Sequence, residues 1–191
     1  MNAQAALYTL WIVWYASWLL SLFWTARTTA RPDHRQHAAY QIMSMIALIL
    51  LFGPPIAQMT PERLWPPNET LGWAIFALTV LTFAFLWWAR IEMGRLWSGT
   101  IAMGAHHRVI DTGPFAIVRH PIYSGIIAAG FLMAAEQATL VAFGGAVFLA
   151  ISFWMKAQLE EAFLREELGP QDYDAYRRRV PMLVPFGPKA S

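Results

Sequence analysis

The chain has 191 residues, 57% of them hydrophobic and only 14% charged, with ten Trp and no Cys. A soluble domain carries about 25% charged residues, so this balance excludes an ordinary soluble enzyme and predicts an all-α membrane protein, one domain over residues 1–191. The lack of Cys excludes disulfides, thiolate nucleophiles and Cys-based metal sites, and a net charge of +2 points to neither a metal nor a nucleic-acid partner.

Five apolar spans follow in chain order. The first, Ala6 to Thr25, is retained rather than cleaved, because no Lys or Arg precedes it and its apolar core is too long for a leader. Its Trp11, Trp14, Trp18 and Trp24 read as lipid-facing or interfacial anchors, as do Trp87 and Trp88. Arg27, Arg31, His34 and His37 form a headgroup-facing loop before the second span, Tyr40 to Ala57. A short Pro-rich turn with Arg63 and Pro66-Pro67 leads to the third, Leu71 to Ala89. Asn68-Glu69-Thr70 matches a glycosylation pattern, but it abuts span three, where access is poor, so it reads as chance. The charges and Gly of Arg90-Ile91-Glu92-Met93-Gly94-Arg95 mark departure from the bilayer.

The fourth and fifth spans, Ile122 to Ala135 and Leu140 to Met155, are separated only by Glu136-Gln137-Ala138-Thr139. They predict a tight helical hairpin in which Gly125, Gly130, Gly144 and Gly145 permit close backbone approach. Beyond it, Leu159, Phe163, Leu164 and Leu168 recur at helical spacing between acidic residues, so an amphipathic helix extends span five until Gly169-Pro170 stops it. A second short helix carries Tyr173 and Tyr176, expected to pack against the preceding elements. Arg177-Arg178-Arg179 reads as a contact for anionic headgroups. With five spans, thirteen of the fourteen Lys and Arg fall on one side and only Arg63 on the other. The positive-inside bias then places the N-terminus outside and the C-terminus in the cytoplasm.

The concentrated polar chemistry therefore sits on the cytoplasmic face, in residues 97–124 and 156–186, and the hairpin is expected to bring the two pieces together. His120 precedes Pro121, which suits the following residues to a helix start with free N–H groups and a positive dipole end. Such an end receives a carboxylate, with His120 and Tyr123 placed to add hydrogen bonds. Glu160 and Glu161 offer negative charge to an ammonium group or ribose hydroxyls. S-adenosylmethionine carries all three groups. The ordinary alternatives stand beside this: a structural His at a membrane edge, a solvated acidic helix face with Arg165 as the i+4 partner of Glu161, and a snorkelling Lys156.

The run His107-Arg108-Val109-Ile110-Asp111-Thr112-Gly113-Pro114-Phe115, then Arg119-His120-Pro121-Ile122-Tyr123-Ser124-Gly125, resembles the isoprenylcysteine carboxyl methyltransferase and phospholipid methyltransferase group of integral membrane enzymes. Leu96-Trp97-Ser98 upstream and Glu160-Glu161, Gly169, Tyr173, Tyr176, Val180 and Pro185 downstream follow the same pattern. The likeness covers about residues 90–186, half the chain, and the first two spans carry no signature. It implies that His107, Arg108, Val109, Ile110 and Phe115 frame the adenosine end of the cofactor, that His120, Pro121, Ile122 and Tyr123 hold its methionine end, and that Glu160 binds its amino group. Position 156 faces the methyl acceptor as arginine in isoprenylcysteine-type members. Lys156 keeps the charge without the bidentate fork. Phe115 replaces a usual tyrosine and lacks its hydroxyl.

The implied activity is S-adenosylmethionine-dependent methyl transfer to a lipophilic acceptor entering from the bilayer, most like isoprenylcysteine carboxyl O-methylation. Lys156 or Arg119 would supply a cation to a carboxylate or thiolate acceptor, and Glu161 would be the nearest base for an amine. Three alternatives stay open. They are phospholipid N-methylation, a membrane reductase with a nicotinamide cofactor (sterol reductases carry a related Arg-x-x-His-Pro-x-Tyr element), and a non-catalytic membrane scaffold.

Overall fold

The computed structural model describes residues 1–24, 28–30, 37–53, 62–94, 103–104 and 109–189. Six α-helices account for most of them: α1 (Ala3–Leu20), α2 (His37–Phe52), α3 (Glu69–Met93), α4 (Pro121–Gln137), α5 (Leu140–Leu168) and α6 (Pro170–Arg179). A short antiparallel pairing joins β1 (Thr28–Ala30) to β2 (Met103–Gly104). The first five helices overlie the five predicted spans. Three stretches, Ala3–Phe23, Glu69–Met93 and Leu140–Glu167, are long and apolar enough to cross a membrane, while the apolar stretch Ala38–Phe52 is shorter. Their outer faces carry exposed large apolar residues, among them Ile12, Leu20, Met45, Leu81 and Trp154. Apolar side chains on so many outward faces suit lipid rather than water. The chain is an all-α membrane protein.

Local chemistry sets the helix ends. Asn68 caps α3 by accepting from Leu71 N at 2.9 Å, so the Asn of the glycosylation-like triplet serves its own helix. Ala138 takes a left-handed conformation (φ 52°) to end α4, and Thr139 caps α5 by accepting from Ala142 N at 3.1 Å. The predicted hairpin therefore turns on two residues, tighter than the four-residue break in apolarity. Gly169 (φ 92°) and Pro170 then separate α5 from α6, as their sequence predicts.

In the bundle α4 packs against both α3 and α5, and α2 lies along α5. Glycines set these approaches. A Cβ on Gly125 would lie 2.6 Å from Leu86 Cδ2 on α3, and one on Gly130 would lie 2.7 Å from Leu149 Cδ2 on α5. Gly144 meets nothing within 4 Å, so it takes no part in the close packing expected of it.

The tryptophans depart from the sequence expectation. Trp14 is 9% exposed and stacks on Phe83 (centroids 4.6 Å apart, planes at 16°), while Trp11, Trp18 and Trp87 complete an aromatic cluster between α1 and α3. Trp24 and Trp88 keep the exposure expected of anchors. A Trp repeat near every third or fourth position marks one helix face, and that face here packs inward rather than toward lipid.

Candidate functional site

The site forms where the start of α4 meets the polar half of α5. Pro121 at the first helical position leaves His120 outside the helix (φ −123°, ψ 65°), because a residue before proline avoids the helical region. That kink stacks the imidazole on the Tyr123 ring, with centroids 5.2 Å apart and planes at 3°. Tyr123 in turn donates to Glu160 Oε2 at 2.5 Å. His120 Nδ1 lies 3.8 Å from the same oxygen, and His120 Nε2 lies 3.2 Å from Glu161 Oε1. The two sequence pieces expected to meet are thus in direct contact.

Glu161 is the hub beneath. Arg119 grips it with two prongs, Nε to Oε1 at 2.6 Å and Nη2 to Oε2 at 3.2 Å, and Arg177 Nε approaches Oε2 at 3.1 Å. Arg119, His120 and Glu161 are all under 10% exposed. A carboxylate so surrounded is held ionised, since removing any one charge strands the others out of water. Glu160, with its side chain 23% exposed, is the acid of the pair that stays reachable.

A C-terminal strap closes this layer. Arg119 N donates to Pro181 O at 2.9 Å, His120 N to Met182 O at 3.1 Å and Ser124 Oγ to Leu183 O at 2.6 Å. Arg119 Nη1 also donates to the carbonyls of Val180 and Arg177. Tyr173 and Tyr176 are buried with Val180, and half-buried Val109 packs on them as expected of that helix. Burial pushes both phenols well above the ordinary tyrosine range, with Glu161 adding to the shift in each. Both stay protonated, and Tyr176 donates to Phe115 O at 2.7 Å.

Two assignments of the acidic and basic runs change. Arg165 pairs with Asp174 (2.9 Å) rather than with Glu161, while Arg177 reaches the buried Glu161 and Arg179 pairs with Asp111 at the surface, so these arginines do not serve only headgroups. Helical spacing allows an i+4 pair, but α6 folds back and offers Arg165 a better-aligned partner.

Of the predicted cofactor residues, His107 and Arg108 lie outside the described residues. Val109 and Ile110 are half-buried beside the strap and the bundle. Phe115 is 4% exposed and packs with Leu86, Ala89 and Ile122. Pro121 and Ile122 are buried at the foot of α4. Lys156 sits one turn before Glu160, with Nζ 5.0 Å from the centroid of Tyr123 and 5.9 Å from those of Tyr40 and Phe153. Sequence reasoning missed Tyr40, Phe153, Arg177 and the strap. Tyr40 belongs to a span without any motif, and the strap acts through main-chain carbonyls that no side-chain pattern reports.

Beside the cluster runs an apolar groove of about 930 Å³ between α3, α4, α5 and the strap, lined by Leu81, Phe85, Ser124, Gly125, Trp154 and Leu183 among others.

Fold and site together define an integral membrane protein with a largely buried charged cluster adjoining an apolar groove. Residues 74–166, which hold α4 and most of α5, match the isoprenylcysteine carboxyl methyltransferase family. Methanethiol S-methyltransferase 1 of Bradyrhizobium diazoefficiens is 25% identical over 184 residues, covering 85% of this chain and 58% of that protein. Methanethiol S-methyltransferase 2 of the same organism is 31% identical over 161 residues, covering 78% and 60%. Protein-S-isoprenylcysteine O-methyltransferase B of Arabidopsis thaliana is 34% identical over 85 residues, covering 42% and 41%. The chain thus spans less than two thirds of the length of these relatives. It is similar to the isoprenylcysteine carboxyl methyltransferase family of membrane methyltransferases, whose pattern matches just under half of the chain.

Proposed function

We propose that the protein is an S-adenosylmethionine-dependent methyltransferase acting on a lipophilic acceptor, with α1 to α5 all crossing the bilayer, the N-terminus outside and the site on the cytoplasmic face. The observation that carries this reading is the shared carboxylate edge of Tyr123, His120 and Glu160, backed by the buried Arg119–Glu161 pair. The donor set fits the methionine end of the cofactor. Glu160 offers a reachable carboxyl group, which suits an ammonium group, and the first turn of α4 suits a carboxylate. Val109 and Ile110, with His107 and Arg108, would frame the adenosine end, and the buried Phe115 ring would back that wall.

When bound, the cofactor supplies a methyl group on a sulfonium. The chain's own residues then bind, orient and exclude water. Arg119 and Glu161 act as positioning residues: they lock the His120 ring against Tyr123 and tie both to the strap. Lys156 supplies the cation near an anionic acceptor. Alignment of this kind is worth up to about 7–11 kcal/mol in favourable cases. The apolar groove beside Ser124 and Gly125 supports lateral entry of an acceptor with a hydrocarbon tail. Isoprenylcysteine carboxylate is one such acceptor. A second reading, thiol S-methylation, is favoured by the two relatives matched over most of the chain.

The test uses purified protein in vesicles with methyl-labelled S-adenosylmethionine and extracted lipids and thiols as acceptors. Label transfer by the wild type, lost in His120→Ala and Glu160→Ala with the fold intact, is expected. Donor binding unchanged in both variants would favour a scaffold, and displacement of the donor by a nicotinamide cofactor would favour a reductase.

A further inference from the structure

The strap does not end at Leu183. The next residues, Val184-Pro185-Phe186-Gly187, close a β-turn in which Gly187 N donates to Val184 O at 2.9 Å. Proline suits the second position of such a turn, and the third, where φ is positive, usually falls to Gly or Asn. Here Phe186 takes it, with φ 61°. The nearby glycine stands one place later, where a Cβ would lie 2.8 Å from Val184 O. A bulky residue at positive φ is a strained exception. No packing inside the protein offsets that strain, since Phe186 is 101% exposed and Val184 65%.

The surroundings of this turn name its partner. Val184 and Pro185 line the apolar groove together with Leu78, Leu81 and Trp154, three residues that are themselves exposed on α3 and α5. Both helices are long and apolar enough to cross a membrane, so the turn is continuous with the lipid-facing surface of the bundle. Exposed Arg178 and Lys189 bracket it in sequence, and basic side chains favour the headgroup layer. Apolar rings of interfacial segments bury where headgroups meet acyl chains.

We propose that the turn of residues 184–187 is a bilayer anchor: Phe186 inserts into the interface of the adjacent leaflet, and lipid, by holding the turn, keeps the strap latched on Arg119 and His120. The backbone just ahead of the turn supplies the carbonyls of Pro181, Met182 and Leu183, which accept from Arg119 N, His120 N and Ser124 Oγ. With the ring in water, nothing opposes relaxation of the strained Phe186, and the acceptors behind it can slip. With the ring in lipid, the turn is fixed and the acceptors stay in register. The membrane thereby sets how firmly the His120 imidazole is oriented.

The sequence has no Cys, so one reporter can be placed cleanly. Phe186→Cys and, as a control at an exposed position of α6, Asp172→Cys carry a bimane label on the full chain in phosphatidylcholine–phosphatidylglycerol vesicles, with nitroxide-bearing lipids as quenchers. Label at 186 is expected to be quenched severalfold more than label at 172, and equal quenching overturns insertion. The second measurement is amide hydrogen exchange at Arg119 and His120 in the same vesicles. Phe186→Gly and Phe186→Asn relax the turn but remove the ring, whereas Phe186→Trp keeps an aromatic. The anchor predicts exchange about tenfold faster in the Gly and Asn variants, a factor that partial burial of one phenyl ring can produce, and near wild type in the Trp variant. A turn acting through its backbone alone predicts the reverse, slower exchange once the strain is relaxed. Unchanged or slower exchange in the folded Gly and Asn variants overturns the lipid-held latch, as does a Trp variant that exchanges as fast as they do. Neither measurement uses a methyl donor, so a failure here is distinct from a failure of the methyltransferase reading.

Discussion

Two buried arginines, one at each end of residues 90–119, show what burial of the same side chain achieves with different partners. Arg90 is 0% exposed at the end of α3 and donates to the carbonyls of Ser21, Trp24 and Gly94, with its guanidinium 4.8 Å from the Trp24 ring centroid. It satisfies carbonyls left open where α1 ends, and its positive charge lies at the negative end of that helix. Arg119 is as deeply placed, but its fork closes on the Glu161 carboxylate before reaching the carbonyls of Arg177 and Val180. The first arginine joins two membrane helices. The second assembles a charged site from α4, α5 and the strap, and a guanidinium shared with a carboxylate makes that assembly depend on each member.

That difference breaks most sharply at Glu161. Glu161→Ala leaves Arg119 buried without its carboxylate, a change that costs about 3–5 kcal/mol. A large fall in the midpoint of detergent-solubilised unfolding, together with loss of donor binding, is the expected outcome, and near-wild-type unfolding would show that the pair is not central. A matched pair of Lys substitutions sharpens the contrast. Arg90→Lys and Arg119→Lys each leave acceptors incompletely satisfied and are expected to lose about 1–3 kcal/mol. Only Arg119→Lys should also weaken donor affinity, by about tenfold, because it loosens His120. Isothermal titration on protein pre-equilibrated below its unfolding midpoint separates the two, and equal donor affinities would erase the distinction. The smallest effect is expected at the solvent-facing Arg165–Asp174 pair, where Arg165 is half exposed. Arg165→Ala should shift neither unfolding nor donor binding measurably, since exposed ion pairs are screened and entropically costly.

The legible parts of this molecule are those written in side-chain periodicity and in local backbone chemistry. The helix start at Pro121, the stop at Gly169-Pro170 and the α4–α5 hairpin follow from residues in sequence, as does the meeting of His120 and Tyr123 with Glu160 and Glu161. The partners of individual charges were not legible in the same way. Glu161 has an Arg at i+4 and takes Arg119 and Arg177 instead, because choice among several cations is settled by tertiary distance. The direction of the Trp face of α1 was equally hidden, since periodicity identifies a face without saying whether lipid or another helix covers it. Tyr40 lay beyond reach for a third reason: its place beside Lys156 depends on how α2 registers against α5, where Ser152 meets Ser44 and the Tyr40 carbonyl.

The segment from Val180 to Leu183 touches Arg119, His120 and Ser124 almost wholly through its peptide carbonyls. Such a contact is blind to residue identity and sensitive to spacing. Replacing Met182 or Leu183 by another apolar residue leaves every acceptor in position, whereas deleting one residue slides each carbonyl past its donor and unlatches the imidazole. At Met182 and Leu183 the wording is therefore free to drift, and the count of residues is not.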